Sequence, residues 1–353
     1  EKITVKESCF KIRKNFMSGS RIHLGLNGNS KMLISTCHMN QGINRQFMDS
    51  IFVGIEIGGT KIQVVTGNSQ ARILDRKRFI ADPALGGEGI RDQIVKALRQ
   101  IQLNQSIVAV GVGFGGPVNR ETGSTYCSHQ INGWDDFPLQ EWLSSQLNGV
   151  RVDICNDANT AALAEAQAGA GRGKSPVFYI TLGSGIGGGL VVDGDIYNGN
   201  LPSEMEIGHF RINNEGETLE SRCSGWAVDE RIRNYLEKNS DSSLARLVER
   251  RGGEAKYLMS AINQGDQGAR IIFDEVCQDL AFGLSHVVHL LNPEIIILGG
   301  GLSLIGEPLR MGVEHELKRK IMEAMKPGPK IRLATLREDA VPIGALHLAL
   351  MRK

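Results

Sequence analysis

From Ile51 onward the chain is written in short β-branched runs punctuated by glycine, alternating with stretches of helical period. IFVGIEI, then KIQVVTG after a Gly-Gly turn, then ARILDRKRFI predict three consecutive strands. Apolar residues spaced three and four apart in EGIRDQIVKALRQIQL predict an amphipathic helix over about 88–103. A buried strand, SIVAVGVG at 106–113, and another, VRVDIC, follow. Asp157–Ala168 reads as an Ala-rich helix opening on a carboxylate, which the helix dipole favours. After the connector Gly-Arg-Gly-Lys-Ser-Pro the strand pattern restarts with PVFYITLG and GLVVDGDIYNG. Helical segments fill about 224–290, EIIILGGGL at 294–302 is a strand, and IGALHLALM is a last apolar helix. Each half opens with strand, glycine turn and strand, so two similar lobes around a nucleotide cleft follow if that echo is real.

The restart divides the chain into a lobe over 48–172, a second over 173–338 and a C-terminal helix, 339–353, packing back on the first. Residues 1–47 hold neither period and are rich in Asn, Ser and Lys. They read as an appendage, poorly ordered or non-native, with Met48 as an alternative start. The length of 353 residues also favours two lobes over one core. Forty Lys+Arg against 39 Asp+Glu leave a net charge of +1, which gives no electrostatic footprint for nucleic acid or an anionic membrane. No apolar run approaches the roughly 18 residues of a membrane helix. The six cysteines contain no C-x-x-C pair and suit reduced thiols in a cytoplasm.

Three glycine turns are candidates for phosphate contact. Gly58-Gly59-Thr60-Lys61 joins two strands, with Glu56 just ahead to face a Mg²⁺ or its waters; a plain hairpin has the same form. Gly183-Ser184-Gly185 opens a run containing G-x-G-x-x-G, the dinucleotide fingerprint, but a strand follows where that motif requires a helix. Gly173-Lys174-Ser175 falls short of a Walker loop because Ala168 replaces its first glycine. Gly299-Gly300-Gly301 ends a strand, where bare backbone can meet an adenosine. For the acceptor, Asn156-Asp157-Ala158-Asn159 sets a carboxylate at a strand end and helix start, either as a base for an attacking hydroxyl or merely as a helix cap. The segment Glu204–His209 holds two carboxylates and an imidazole, of which Glu206 and His209 offer a grip for vicinal hydroxyls or an ordinary polar surface.

With these residues in view, the chain resembles the ROK family of repressors, open reading frames and sugar kinases, over about 51–352. GIEIGGTK and ITLGSGIGGGL are similar to its two phosphate motifs and NPEIIILGGGLS to its adenosine motif; NDANTAALAE resembles the stretch with the catalytic Asp, and EIGH the sugar-binding one. The resemblance implies an α/β, actin-like (ribonuclease H-like) fold of two lobes that close over an interlobe cleft on ATP and a hexose. It makes Asp157 the general base and Gly115, Gly116, Asn132, Asn156, Glu206, His209 and Glu220 the sugar pocket. Glu56, Gly58, Gly59, Thr60, Lys61, Gly183, Ser184, Gly185, Gly300 and Gly301 fall to ATP and Mg²⁺. Glucose converted to glucose 6-phosphate is the expected reaction. Fructose or an N-acetylhexosamine is the alternative acceptor, and a sugar-responsive repressor the alternative of another class. Relatives are commonly dimers. Two departures stand out: Glu56 replaces the family's usual Asp, and Gly216-Glu217-Thr218-Leu219-Glu220 replaces the zinc-binding cysteine loop, with Thr218 where its last cysteine would stand. No zinc is expected, so His209 must be oriented by other hydrogen bonds.

Overall fold

Two five-stranded sheets with one shared topology frame the computed structural model, which describes residues 50–128, 130–200 and 205–351. The 1–47 appendage and Glu204 lie outside the described residues. The first sheet contains β1 (Ser50–Ile57), β2 (Lys61–Gly67), β3 (Ile73–Ile80), β4 (Ser106–Phe114) and, past a ribbon of β5 (Val118–Asn119) and β6 (Ser124–Thr125), β7 (Arg151–Asn156). The second contains β8 (Val177–Leu182), β9 (Ile186–Val192), β10 (Asp195–Ile196), β11 (Ile295–Gly299) and β12 (Lys330–Leu333). Their orders are β3-β2-β1-β4-β7 and β10-β9-β8-β11-β12. In each, the first strand lies antiparallel to the second and parallel to the fourth, which is parallel to the fifth. The echo between the halves is therefore a repeated fold.

Central strands covered on both faces read as continuous apolar runs, which is why IFVGIEI and EIIIL were legible. Helix α1 (Gly86–Gln102) matches the expected amphipathic stretch and buries Ile90, Ile94, Leu98 and Ile101. Beyond α2 (Leu139–Gln146) comes α3 (Asp157–Gln167). The second lobe adds α4 (Leu219–Cys223), α5 (Gly225–Lys238), α6 (Ser243–Leu247), α7 (Leu258–Asn263), α8 (Gln267–Leu291) and α9 (Glu307–Lys320), before α10 (Ala340–Leu350).

Helices α3 and α10 cross over between the halves. The chain leaves the first sheet at β7, and α3 packs chiefly on β8 and β9; it leaves the second sheet at β12, and α10 packs on β1 and β4. Each lobe thus lends a helix to the other, and the two helices pack on one another. Residues 158–166 of α3 are buried on every side, and their alanines keep the helix thin enough to be sandwiched. Gly344 costs α10 about 1 kcal/mol of helix propensity, and its reason is contact: a Cβ there would fall 1.9 Å from the Thr160 carbonyl oxygen. A Cβ on Gly111 of β4 would fall 1.8 Å from the Ala345 carbonyl. Buried Glu165 bolts the crossing: its carboxylate accepts from Ala170 N at 2.7 Å, Leu336 N at 2.8 Å and Thr335 Oγ1 at 3.2 Å, tying α3 to the segment that leads into α10. Among the described residues no helix is long and apolar enough to cross a membrane.

Gly344→Ala should lower stability by about 1–3 kcal/mol despite the better helix former, because the added methyl forces the crossing apart. A fall in the urea midpoint checks this; an unchanged or higher midpoint would show that the two helices have room to spare.

Candidate active site

The ends of β1, β4 and β7 in one lobe and of β8 in the other open on a single cavity of about 810 Å³, within the usual range for a small-molecule site. Asn156 closes β7 and caps α3: its Oδ1 accepts from Ala158 N at 2.9 Å and Asn159 N at 3.3 Å, while its Nδ2 donates to Gly116 O at 3.2 Å. The cap that the sequence left open for Asp157 is therefore filled by its neighbour. Asp157 Oδ1 accepts from Ala158 N at 2.7 Å. Its Oδ2 stands over Gly115, where a Cβ would come within 3.5 Å of it. Burial pushes the Asp157 carboxyl up to about 6, the charges of Glu56 and Glu206 add to the rise, and the Ala158 N–H opposes it.

The first glycine turn is closed by Gly58 N–H donating to Lys61 O at 3.0 Å, and Gly58, Gly59, Thr60 and Lys61 all line the cavity. Glu56 is buried behind the turn, where its Oε2 accepts from Gln63 Nε2 at 2.6 Å and its Oε1 pairs with Lys61 Nζ at 3.4 Å. Burial raises the Glu56 carboxyl, with Lys61 and Gln63 pulling the other way. With both oxygens engaged, Glu56 suits the water shell of a cation better than direct ligation.

The second turn is narrower than its run of glycines suggests. Gly183 N–H bonds to Gly185 O at 2.9 Å, and β9 begins at Ile186. Gly187 and Gly189 belong to that strand and admit α3: a Cβ on Gly189 would fall 2.6 Å from the Ala162 Cβ. Glu220 braces the turn by accepting from Ile186 N through Oε2 at 2.7 Å. Glu220 itself stands on the first turn of α4, fixed by a capping box in which Thr218 Oγ1 accepts from Ser221 N at 3.2 Å and Thr218 N donates to Ser221 Oγ at 3.0 Å.

Glu206 and His209 also line the cavity, Glu206 just before the short 3₁₀ turn Ile207–His209 and His209, exposed, as its last residue. The third turn divides: Gly301 lines the cavity, whereas Gly300, at φ +79°, is pressed against Leu182, whose backbone lies 2.5 Å from where a Cβ would stand. Asn132 does not line the cavity; it is exposed, and its carbonyl accepts from Gly87 N at 2.8 Å. The amide in that segment that does is Gln130, whose side chain lies on the bare Gly59 Cα and donates from Nε2 to Ser184 Oγ at 3.5 Å, spanning the two glycine turns. Only its place two residues before Asn132 marked it, and HQINGW does not say which amide faces inward.

The residues at the lost cysteine loop do not fit zinc. Cys223 is buried in the second core, its Sγ 3.8 Å from Val276 O, and burial pushes its thiol up, whereas His209 sits exposed at the cavity rim. Among the described residues no three His, Cys, Asp or Glu side chains gather as a metal site.

The ROK family profile matches residues 52–352. A glucokinase of Halalkalibacterium halodurans is 31% identical over 312 residues, 84% of this chain and 94% of that one. A glucokinase of Thermotoga maritima is 31% identical over 307 residues, 84% and 96% respectively. The crystal structure of a ROK family glucokinase from Streptomyces griseus with glucose and AMPPNP superposes with a TM-score of 0.72 at 29% identity, covering 85% of this chain and 99% of that one.

Two measurements follow from the raised Asp157 carboxyl. Activity should fall on acidification with a midpoint near pH 6, read as the acid limb of the kcat/KM profile. Stability moves the other way. With the folded-state value above the ordinary 3.8, the folded protein holds the proton more tightly than the unfolded chain, so the cost of the charge grows as pH rises through about 6 and is absent below about 4. Asp157→Asn should therefore be more stable than the parent at pH 8, by on the order of 1–3 kcal/mol, and indistinguishable near pH 4. Thermal melts at the two pH values check it; a variant less stable at pH 8 would contradict the assignment.

Proposed function

This chain belongs to the ROK family and is a hexose kinase, and on that premise we propose that it transfers the γ-phosphoryl group of ATP to the 6-hydroxyl of glucose, with Asp157 as general base. The observation that carries the reading is a carboxylate that shares only one helix amide with the capping Asn156, is raised toward neutrality and is set in the same cavity as the first two glycine turns. A group with such a value is mostly ionised at pH 7 yet basic enough to take a proton from an alcohol. Phosphoryl transfer asks little covalent help of protein; it asks that the acceptor and the triphosphate be aligned and its charge be met.

In this reading the triphosphate lies between the turns at Gly58–Lys61 and Gly183–Gly185, and bare Gly301 lets the adenosine approach the end of β11. The acceptor hydroxyl donates to Asp157 Oδ2; as its oxygen bonds to the γ-phosphorus and the bond to the β-phosphate oxygen breaks, its proton passes to that carboxylate. Glu206, His209 and the remaining oxygen of Glu220 accept from the other hydroxyls, and Asn156 orients the base and positions Gly116. Mg²⁺ arriving with ATP would offset the negative charge of the phosphates, and Glu56 would hold its water shell. Lobe closure about the α3–α10 crossing shuts out water, which would otherwise compete as acceptor. Among the described residues Cys127, Cys155, Cys223 and Cys277 form no disulfide, which suits the reducing cytoplasm where ATP is plentiful.

The test is a panel of hexoses scored for ATP consumption, run on the parent and on Asp157→Asn. Glucose should be the preferred acceptor, and the variant should lose roughly 10²- to 10⁴-fold in kcat while binding glucose with little change. Preference for fructose or an N-acetylhexosamine would move the acceptor assignment; undiminished turnover in the variant would remove Asp157 from its role. Thr218→Ala should weaken α4 by about 1 kcal/mol and raise the KM for sugar more than it lowers kcat, since it loosens the footing of Glu220. A split in the opposite sense would mean that the capping box does not serve the sugar site.

A further inference from the structure

A second cavity, of about 530 Å³, shares no lining residue with the first. Its walls come from both halves of the fold: Arg120 and Asp153 from the first lobe, Asp195, Ile196 and Asn198 from the second, and Leu348 from the last turn of α10. One member is chemically unfinished. Arg120 sits in the turn between β5 and β6, and its Nη1 is shut away from solvent with no hydrogen-bond partner, a costly state for a cationic donor. Its neighbours do not share the fault: Asp153 is bonded by Arg151, whose guanidinium also donates to the carbonyls of Ala349 and Met351.

The composition of the walls narrows what would satisfy that nitrogen. An unanswered guanidinium calls for an oxyanion, carboxylate or phosphate. Asp153, Asp195 and Asn198 offer planar acceptors and an amide donor, the groups that pair with hydroxyls. Ile196 and Leu348 supply apolar surface for a C–H face. Arg120 is the one arginine among the lining residues, and of the two aspartates Asp153 is already paired with Arg151 from outside the lining, so a single anionic group on a neutral polar body is matched better than a polyanion. We propose that this interlobe cavity is a regulatory site for an anionic sugar, either a sugar phosphate or a sugar acid, with Arg120 on the anionic group and the two aspartates on hydroxyls.

The route to the active site is short. Three residues along β7, about 10 Å, separate Asp153 from Asn156, which caps α3 beside Asp157. A ligand touching both lobes fits the open and closed forms differently, and that difference in affinity is what shifts their balance. The regulatory half of the proposal rests on the hexose kinase reading; the binding half does not.

The experiment uses the full chain, saturated with glucose and a non-hydrolysable ATP analogue so that the catalytic cavity is filled, and titrated by calorimetry with glucose 6-phosphate and, separately, with gluconate. One molecule of one of them should bind per chain, the productive ligand telling phosphate from carboxylate. Arg120→Ala should weaken that binding roughly tenfold to a hundredfold, and Asn198→Ala, at an exposed position that folding does not depend on, several-fold. In the parent the ligand should shift the KM for glucose, while without ligand both variants should keep the parent's kcat. No heat with either compound, binding abolished by filling the catalytic cavity, or binding unchanged in both variants would overturn the proposal. Binding through Arg120 in a protein that phosphorylates no hexose would uphold the site and sink the reading of Asp157 instead.

Discussion

The contact on which the rest of this molecule depends is the crossing of α3 and α10, where bare Gly344 lies against the Thr160 carbonyl. Two sheets that share no strand are joined by helices each lobe has given to the other, so the lobes are held by interior packing instead of by a surface they might shed. The small residues of α3, Gly111 and Gly113 of β4 and Gly344 of α10 answer to the packing of these two helices, and Gly187 and Gly189 of β9 to the packing of α3 on the second sheet. Glu165 adds a polar fastening at the far end of α3 with three hydrogen bonds to its carboxylate.

Asp157 is the first residue of the crossing helix, so its carboxylate stands where the two lobes are joined, with the glycine turns at 58–61 and 183–185 beside it in one cavity. Placement at that junction explains two properties together. The carboxylate is buried, which lifts its affinity for a proton, and it is carried by a helix whose residues 158–166 are all buried, which fixes its direction. A charged group in such a place weakens the fold, and the weakening is the same desolvation that makes the group basic.

Most of this architecture was legible because the sheets are central and covered, so their strands appear as unbroken apolar runs bounded by glycine. The elements that escaped notice are those whose stability comes from elsewhere. Helix α9 is charged almost all round, buries only Leu309, Val313 and Leu317, and is laced by ion pairs from Arg310 to Glu307 and Glu314 and from Lys318 to Glu314. Strand β12 is four residues at a sheet edge. At the site, the residue types were legible and their division of labour was not. Nothing in Asn156-Asp157 says which of two adjacent acceptors caps the helix, and nothing in HQINGW says that Gln130 and not Asn132 lies over Gly59. In Gly183–Gly189 the spacing could not say that Gly183 and Gly185 line the cavity, that Gly189 admits α3 and that Gly187 does both, because each use requires only a missing Cβ.

The capping box at Thr218 and Ser221 has an evolutionary consequence. Where an ion gathers several side chains, those side chains must be gained or lost as a set, since any one alone leaves a broken cluster. A segment secured by a helix start has no such all-or-none requirement. Of its neighbours, the exposed Asn214 and Glu215 are free to change singly while Glu220 keeps its post, whereas Asn213 and Glu217 bond each other and Gly216 holds a positive φ.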